Sequence, residues 1–277
     1  LDEMDVNAKD AVLVDPNTNE ILYEKNAHEK MYPASITKVM TCLLTLEAVD
    51  RGELSLEQVV TASENIYTGI GENASTADIK VGEQVRIIDL LYAALIPSAN
   101  EACNIMAEAV SGDVASFVEL MNQRAGELGM EGTHFANAHG LHDENHYTTA
   151  QDLALIVQAA MAYPEFREIS NTPQYTVPAT NMSEERKLYS TNKLISTTTD
   201  TSGGNYYYSK AAGIKTGFTT PAQRCLISTA TNDNLQFLGV ILYAENAYNE
   251  ETGSYDFRSF PEFINMCVYF FERYQYT

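Results

Sequence analysis

The sequence predicts an α+β fold in which an antiparallel sheet is flanked by helices and a helical subdomain is inserted between its strands. Strand-like apolar runs lie in the first and last parts of the chain, and segments with apolar residues at helical spacing lie between them. Because terminal strands can meet in one sheet, the helical block becomes an insertion. We expect a single domain over residues 1–277, with a sheet subdomain at about 1–62 and 163–277 and a helical subdomain at about 63–162.

The first part of the chain predicts a β-hairpin followed by a core helix. Two short apolar runs, 11–15 and 20–24, flank a turn that is rich in Pro and Asn. Apolar residues at helical spacing then extend from 36 to about 49. Ser35 is therefore expected at the N-terminus of a helix that belongs to the core.

The middle of the chain is predicted to be helical, and the part after Pro164 is predicted to be mostly strand. Polar loops that contain Gly separate the helical segments, and an aromatic-rich helix ends the chain. The remaining predicted helices are 85–96, 100–110, 114–129, 149–162 and 260–274, and the remaining predicted strands are 174–177, 213–215, 225–231 and 235–243.

The composition excludes several classes of protein. The 38 acidic and 17 basic residues give a formal net charge of −21, so the chain repels phosphate backbones and no nucleic-acid partner is expected. No apolar run approaches the ~18 residues that span a bilayer. The cysteines form no C-x-x-C pair, which excludes zinc ribbons and thioredoxin-like motifs. We interpret them as buried hydrophobes, with three disulfide pairings formally open, at Cys42, Cys103, Cys225 and Cys267.

Ser35 and Lys38 are candidates for a nucleophile and its base. Helix positions i and i+3 share a face. A serine hydroxyl is a poor nucleophile until a base takes its proton, and a lysine serves as that base only if burial or a nearby cation lowers its pKa. Backbone N–H groups at a helix N-terminus favour a developing oxyanion. The S-x-x-K pattern is weak by itself, because residues 190–193 repeat it in a predicted loop.

Ser98-Ala99-Asn100 is a second candidate motif. It follows Pro97 at the predicted break between two helices, where polar side chains can point into a cleft. The alternative is that Ser98 is merely the N-cap of the next helix.

Lys215-Thr216-Gly217 is the third motif and the only K-T-G in the chain. Lys215 offers a fixed positive charge and Thr216 a hydroxyl donor at the end of a strand-like run. Gly217 would let a substrate backbone lie close to the strand. The alternative is a strand end with a solvated lysine.

The three motifs in this order are typical of active-site serine enzymes that recognise penicillin. From about Ala11 to Phe271, the chain resembles the serine-type D-Ala-D-Ala carboxypeptidases, the low-molecular-mass penicillin-binding proteins of bacteria. This resemblance implies a catalytic domain with a fold like that of the serine β-lactamases and penicillin-binding proteins. It rests on the motifs themselves and on the segments 22–27, 33–41, 137–141 and 213–219.

The resemblance implies a role for each catalytic residue. Ser35 is expected to be the acylated nucleophile and Lys38 its general base. Ser98 is expected to relay protons to the leaving group, with Lys215 as its electrostatic and hydrogen-bonding partner. Asn100 is expected to contact a substrate amide.

The resemblance also implies the substrate-binding groups. Thr216 is expected to bind the terminal carboxylate of the substrate, and the backbone N–H groups of Ser35 and Phe218 are expected to form the oxyanion hole. Family members also use an arginine for that carboxylate, for which Arg258 has the matching position before the last helix. Gln223 stands where the family usually has Gly, which leaves the geometry of this turn open.

The implied activity is removal of the last D-Ala from peptidoglycan stem peptides through an acyl-enzyme. β-Lactam antibiotics are expected to inhibit by acylating Ser35. No cofactor or metal is expected. Because the substrate lies outside the cytoplasmic membrane, the resemblance implies an exported protein at the cell wall or at the outer face of that membrane. Contact with the membrane is expected only through a C-terminal segment that is not present in this chain.

Three alternatives are open from the sequence. A class A-like β-lactamase needs a Glu-activated water, and segment 168–171 contains Glu168, although Ala99 replaces the usual Asp of the middle motif. A metal-dependent peptidase could use the loop 134–146, whose spacing matches no H-E-x-x-H helix. A catalytically silent cell-wall-binding protein could retain the fold. The histidines of the loop are His134, His139, His142 and His146.

Overall fold

The computed structural model describes residues 4–197 and 206–274. The strands are β1 (Asp10–Val14), β2 (Ile21–Lys25), β3 (Val59–Thr61), β4 (Gln84–Arg86), β5 (Gln174–Val177), β6 (Arg186–Tyr189), β7 (Ala211–Thr219), β8 (Gln223–Asn232), β9 (Leu235–Ala244), β10 (Ala247–Asn249) and β11 (Ser254–Asp256). The helices are α1 (Lys38–Asp50), α2 (Ile87–Leu95), α3 (Asn100–Ser111), α4 (Val114–Glu127), α5 (Ala150–Met161), α6 (Pro164–Ser170) and α7 (Ser259–Tyr274).

The main sheet joins the two ends of the chain. Its strands follow the order β2-β1-β9-β8-β7, and every neighbouring pair is antiparallel. Val12 of β1 lies opposite Val240 of β9. The expectation that terminal strands meet in one antiparallel sheet is confirmed.

Side chains of the central strands alternate between two apolar layers. Val12 and Val14 of β1 belong to the core that contains α1, whereas Ala11 and Leu13 belong to the core that contains α7. All five residues of β1 are therefore buried. Because both faces are covered, residues 11–14 of β1 form a continuous apolar run rather than an alternating pattern.

Helix α1 forms the centre of the helical side of the molecule. It packs against α2, α3, α4 and α5, and ten of its thirteen residues are buried. A helix that is surrounded in this way is apolar on most of its circumference. Its N-terminal end, which carries Lys38, is therefore fixed deep in the protein.

Most predicted elements are confirmed; the differences are short hairpins and helix α6, which lies in the part after Pro164 that the sequence predicts to be mostly strand. The predicted helices at 100–110, 114–129, 149–162 and 260–274 agree within the one or two residues by which helix ends ordinarily differ. The helix predicted from 85 begins instead at Ile87, because Val85 and Arg86 pair with β3. The strand predicted at 174–177 pairs with β6, outside the main sheet.

The predicted boundary between the helical and sheet subdomains, at about residue 162, does not coincide with the boundary that the helix packing indicates. It assigns α5 to the helical subdomain, whereas α5 packs against β1, β9 and α1. Ile156 and Val157 of α5 are fully buried in the core that also contains Val12 and Val240. We therefore propose that the sheet subdomain resumes at α5.

Two expectations from the composition can be compared with the structure. All four cysteines are buried and unpaired, which confirms their interpretation as small hydrophobes. Cys42, Cys103 and Cys225 lie in the core with α1, and Cys267 lies in the core with α7. Within residues 4–197 and 206–274, no helix combines the length and apolarity that crossing a membrane requires.

Candidate active site

Ser35 lies in a 3-10 turn, Ala34–Thr37, that continues directly into α1. Ala34 has a φ of 48°, which is uncommon for a residue with a side chain. The turn packs against β7, and a Cβ on Gly217 would lie only 3.0 Å from the backbone N of Ser35. A side chain at Gly217 would therefore separate the nucleophile from β7.

Lys38 is fully buried, and three oxygen atoms surround its ammonium group. The Nζ donates to Ser35 Oγ at 2.7 Å, to Asn100 Oδ1 at 2.8 Å and to the carbonyl of His139 at 2.7 Å. Burial lowers the pKa of Lys38 from the usual 10.5 to about 8. A fraction of Lys38 is therefore neutral near physiological pH and can accept the proton of Ser35.

Ser98 and Lys215 form a second pair from opposite sides of the site. Lys215 Nζ donates to Ser98 Oγ at 3.0 Å and to the carbonyl of Thr216 at 2.8 Å. Burial, followed by the charge of Lys38, lowers the pKa of Lys215 well below its usual value. The alternative role of Ser98 as an N-cap is wrong, because Ala99 occupies that position and no side chain caps α3.

Asn100 is held by the loop that precedes β4. Its backbone N and its Nδ2 both donate to the carbonyl of Ser75, at 3.0 and 2.9 Å. Glu101 holds this loop in place, because its Oε1 accepts from the hydroxyl of Thr76 at 2.8 Å and from the backbone N–H of Ala77 at 2.7 Å. The side-chain oxygen of Asn100 is thereby directed at Lys38.

The loop 137–141 places the backbone carbonyl of His139 against the ammonium group of Lys38. Asn137 Oδ1 accepts from the backbone N–H of Gly140 at 2.7 Å, and Asn137 Nδ2 donates to the carbonyl of Leu141 at 2.9 Å. Gly140 has a φ of 98°, and a Cβ there would lie 1.9 Å from the carbonyl oxygen of Ala34. Only glycine therefore permits this loop to contact the turn that carries Ser35.

Two buried histidines of the loop 134–146 use ring nitrogens in hydrogen bonds within the protein. The Nδ1 atoms of His139 and His146 accept from backbone amides at 3.1 and 2.9 Å, and His146 Nε2 bonds to Thr37 Oγ1 at 2.7 Å. Burial lowers the pKa of His139 to about 3 and that of His146 to about 4, so both rings are neutral. These contacts hold the loop against the turn that contains Ser35. Among the described residues, no three His, Cys, Asp or Glu side chains come together as potential metal ligands.

A cleft of about 1000 Å³ lies over Ser35. The predicted residues Ser98, Asn100, Thr216, Gly217 and Phe218 also line it. Among the described residues that line this cleft, none is acidic, although the chain contains 38 Asp and Glu. The cleft therefore suits a substrate that carries negative charge.

Arg258 precedes α7 directly and is partly exposed, but it is not among the residues that line the cleft. Its neighbours Phe257 and Ser259 do line the cleft. The assignment of a substrate carboxylate to Arg258 stays a prediction.

Sequence reasoning missed several cleft residues. Thr191 lies in the second S-x-x-K segment, and its hydroxyl bonds to that of Thr216. Arg224 and Phe257 face the same cleft from β8 and from the segment before α7. No local pattern in the sequence distinguishes these residues, because they come together only through packing.

Two further expectations concern Gln223 and Glu168. Gln223, the first residue of β8, has a φ of 54°, so it adopts the left-handed backbone conformation that favours glycine. Glu168 lies on α6 and is exposed. It lines a separate pocket with Arg86 and Tyr92 rather than the cleft over Ser35. It is therefore not placed to activate a water beside Ser35, as a β-lactamase would require.

Comparison with known proteins places this chain in a family. Residues 1–246 match the family model described as D-alanyl-D-alanine carboxypeptidase. The chain belongs to this family. It is 34% identical over 242 residues to D-alanyl-D-alanine carboxypeptidase DacF of Bacillus subtilis (strain 168), covering 87% of this chain and 59% of that protein. It is 31% identical to D-alanyl-D-alanine carboxypeptidase DacC of Escherichia coli (strain K12), covering 87% and 57%. The chain thus spans less than three fifths of the length of these curated relatives.

Solved structures show the same fold. The DD-transpeptidase of Streptomyces K15 has a TM-score of 0.78 at 28% identity, covering 88% of this chain and 93% of that chain. Penicillin-binding protein D2 of Listeria monocytogenes in an ampicillin-bound form has a TM-score of 0.73 at 29% identity, covering 91% and 94%. The predicted α+β fold of the penicillin-binding protein type is confirmed.

Proposed function

We propose that this chain is a serine D,D-carboxypeptidase that removes the C-terminal D-Ala from peptidoglycan stem peptides through an acyl-enzyme. The observation that carries the proposal is the 2.7 Å contact between Ser35 Oγ and the buried Nζ of Lys38. The second pair, Ser98 and Lys215, lies in the same site at 3.0 Å. Family membership supports the choice of a D-Ala-D-Ala peptide as substrate.

Acylation begins with proton transfer from Ser35. Neutral Lys38 accepts the hydroxyl proton, and Ser35 Oγ attacks the carbonyl carbon of the penultimate D-Ala. The backbone N–H groups of Ser35 and Phe218 stabilise the oxyanion. The close approach of Gly217 to the backbone N of Ser35 supports this pairing, because it puts the following residue, Phe218, beside the nucleophile.

The leaving D-Ala must gain a proton when its C–N bond breaks. Ser98 donates its hydroxyl proton to the departing amine and regains a proton from Lys38. Lys215, at 3.0 Å, stabilises the negative charge that develops on Ser98 Oγ. Asn100 holds Lys38 from the other side and offers its amide to the peptide.

Deacylation returns the enzyme to its starting state. Water attacks the ester carbon of the acylated Ser35, and the neutral amine of Lys38 accepts a proton from this water. The ester bond breaks and Ser35 Oγ recovers a proton. The products are free D-Ala and a stem peptide that is one residue shorter.

The same site supports the proposed partners and location. β-Lactams are expected to acylate Ser35, and the similar penicillin-binding protein D2 has been solved with ampicillin and with cefotaxime. The substrate is a component of the cell wall, so we propose that the protein acts outside the cytoplasmic membrane. The net charge of −21 argues against a nucleic acid as the ligand, and the acid-free cleft suits a peptide that ends in a free carboxylate.

Intact-mass measurement and peptide mapping after treatment with benzylpenicillin test the site. We expect one adduct, on Ser35, and no adduct in Ser35→Ala. The matched control is Ser190→Ala, in the second S-x-x-K segment, which should be acylated like the wild type. An adduct on any other residue would refute the assignment of Ser35.

The solved DD-transpeptidase neighbours favour a second activity, transfer of the acyl group to an amine. Both activities share the acyl-enzyme and differ only in what attacks it. Incubation of an N-acylated D-Ala-D-Ala peptide with and without a D-amino acid acceptor distinguishes them. We expect the hydrolysed acid as the main product, and predominance of the exchanged peptide would assign the chain as a transpeptidase.

A further inference from the structure

The hairpin of β10 and β11 carries two exposed tyrosines side by side. Tyr248 and Tyr255 lie directly opposite each other in the strand register. Their ring centroids are 5.2 Å apart, and the ring planes meet at 65°. The two residues are 58% and 56% exposed, although each carries a large apolar ring. Tyrosine is enriched where proteins bind partners, because its ring offers apolar area while its hydroxyl stays hydrated.

The base of this hairpin is attached to the rim of the cleft. Asn246 precedes β10 and Phe257 follows β11, so they occupy the next position on each strand. The side chain of Asn246 accepts from Arg224 Nε at 3.3 Å. The guanidinium carbon of Arg224 lies 4.3 Å from the ring centroid of Phe257 and 4.3 Å from that of Phe218. Both ends of the hairpin are therefore joined through Arg224 to β7, beside the nucleophile.

The two tyrosines share a face of the hairpin with this base. Side chains two apart on an extended strand point to the same side. Tyr248 is therefore on the same face as Asn246, and Tyr255 is on the same face as Phe257. Two residues of a strand span roughly 7 Å, so the tyrosine pair lies about that far beyond Phe257, which lines the cleft. We call Phe257, Tyr248 and Tyr255 the aromatic surface, which continues outward from the cleft.

We propose that the aromatic surface binds the glycan strand to which the stem peptide is attached. This inference rests on the proposed function, because a peptidoglycan substrate carries a sugar at the N-terminal end of its peptide. In the proposed acylation the reacting carbonyl lies at the backbone N–H of Phe218. The first four residues of the stem then extend for roughly 13–14 Å from that point to the sugar. This length exceeds the roughly 7 Å between Phe257 and the tyrosine pair, so the sugar can reach the hairpin.

The chemistry of the hairpin favours a neutral sugar over a charged polymer. The C–H face of a sugar ring packs on an aromatic ring while its hydroxyls stay in water, and tyrosine is amphipathic in the same way. The tip of the hairpin carries the exposed Glu250 and Glu251, and the whole chain has a net charge of −21. An anionic polymer or an anionic lipid surface would therefore be repelled, whereas a glycan of acetylated amino sugars would not.

The test compares two substrates that share one pentapeptide, either N-acetylated or attached to its disaccharide. In the wild type we expect kcat/KM to be roughly 5- to 50-fold higher for the disaccharide pentapeptide, because two aromatic rings contribute to binding. In the double variant Tyr248→Val with Tyr255→Val, the ratio of the two kcat/KM values should fall close to one. Valine keeps the strand propensity of the hairpin while it removes both rings.

Two further variants distinguish ring contacts from hairpin stability. The double variant Tyr248→Phe with Tyr255→Phe should keep the preference for the disaccharide pentapeptide, because both rings remain. Tyr274→Val, at the far end of α7, is the matched control and should also keep it. Equal losses for both substrates in the double valine variant would overturn the proposal, since the tyrosines would then only support the hairpin. A wild type without any preference would overturn it as well.

A binding measurement without chemistry separates this inference from the proposed function. An NMR titration with a tetramer of β-1,4-linked N-acetylglucosamine, which carries no peptide, should shift the ring resonances of Tyr248 and Tyr255. Unshifted rings would contradict the inference, while acylation of Ser35 by benzylpenicillin would still support the proposed function. Shifted rings in a protein that penicillin never acylates would leave only the proposed function refuted. Sedimentation tests the competing occupant: a wild-type dimer that the double valine variant lacks would assign the aromatic surface to a second copy of the chain.

Discussion

At the scale of single residues, the proposed chemistry depends on how burial changes the pKa of Lys38. Its ammonium contacts only neutral oxygen atoms, from Ser35, Asn100 and the carbonyl of His139. Water would solvate the charged form better than these three partners do, so burial favours the neutral amine. The same three oxygens keep the amine within reach of Ser35 after it gains a proton.

This environment predicts the pH dependence of acylation. Because the proposed base is the neutral form of Lys38, whose pKa is about 8, the acylation rate should rise about tenfold per pH unit below that value and level off above it. Stopped-flow measurement of acylation by a chromogenic cephalosporin between pH 5.5 and 9.5 checks this profile. A rate that does not change with pH below 7 would contradict Lys38 as the base.

At the scale of elements, the active site depends on contacts between α3 and the loop before β4. The buried Glu101 on α3 accepts hydrogen bonds from this loop, and the loop in turn supplies the carbonyl of Ser75 that fixes Asn100. Glu108, two turns further along α3, binds the start of the same loop through Ser63 at 2.8 Å. One helix therefore contacts the loop near the active site and also far from it.

We expect Glu101→Gln to change both the stability of the protein and the pKa of Lys38. Loss of the charge-assisted bonds should lower the free energy of unfolding by about 1–3 kcal/mol. The charge of Glu101 raises the pKa of Lys38, so its removal should move the midpoint of the acylation profile to lower pH. Denaturant titration and the stopped-flow profile measure these two effects.

The control for this prediction is Glu108→Gln, which changes the same helix and the same loop. Glu108→Gln should change the free energy of unfolding, while the midpoint of the pH profile of acylation should equal that of the wild type. If both variants gave the same profile as the wild type, Glu101 would be a structural residue only.

At the scale of the whole molecule, Asp10 links stability to pH. It is fully buried at the start of β1, and both of its carboxyl oxygens lack a hydrogen-bond partner among the described residues. Burial, with a smaller contribution from Glu29, raises the pKa of Asp10 from 3.8 to about 7. The folded state therefore binds this proton more tightly than the unfolded state does.

The sign of this linkage predicts lower stability at alkaline pH. The stabilisation from protonated Asp10 is complete below about pH 4 and is lost as the pH rises towards 7 and beyond. Asp10→Asn should raise the free energy of unfolding at pH 8, on the order of 2 kcal/mol, and change it little at pH 4.5. Urea titrations at the two pH values measure the difference.

An exposed carboxylate on the neighbouring strand provides the comparison. Glu24→Gln, on β2, removes one negative charge from the same sheet without changing a buried group. A similar gain at pH 8 in Glu24→Gln would attribute the effect to the net charge of −21 rather than to Asp10.

The sequence by itself determined those features that depend on neighbouring residues. The hairpin of β1 and β2, the helical periodicity of α3 to α5, and the three short motifs each lie within a few turns of chain, so local patterns reveal them. The α+β class also followed, because apolar runs of both kinds occur in a fixed order along the chain. The order of the motifs was enough to indicate the family.

Only the tertiary structure decided which distant residues share the cleft. The contact of Gly217 with the turn of Ser35, the fastening of a loop by Glu101 and the placement of Arg224 between Phe218 and Phe257 join segments far apart in sequence. The packing of α5 on the sheet is of the same kind. The spacing of apolar residues indicates which side of a helix or strand is buried, but not which other residues cover that side. Those partners depend on the packing of all the layers together.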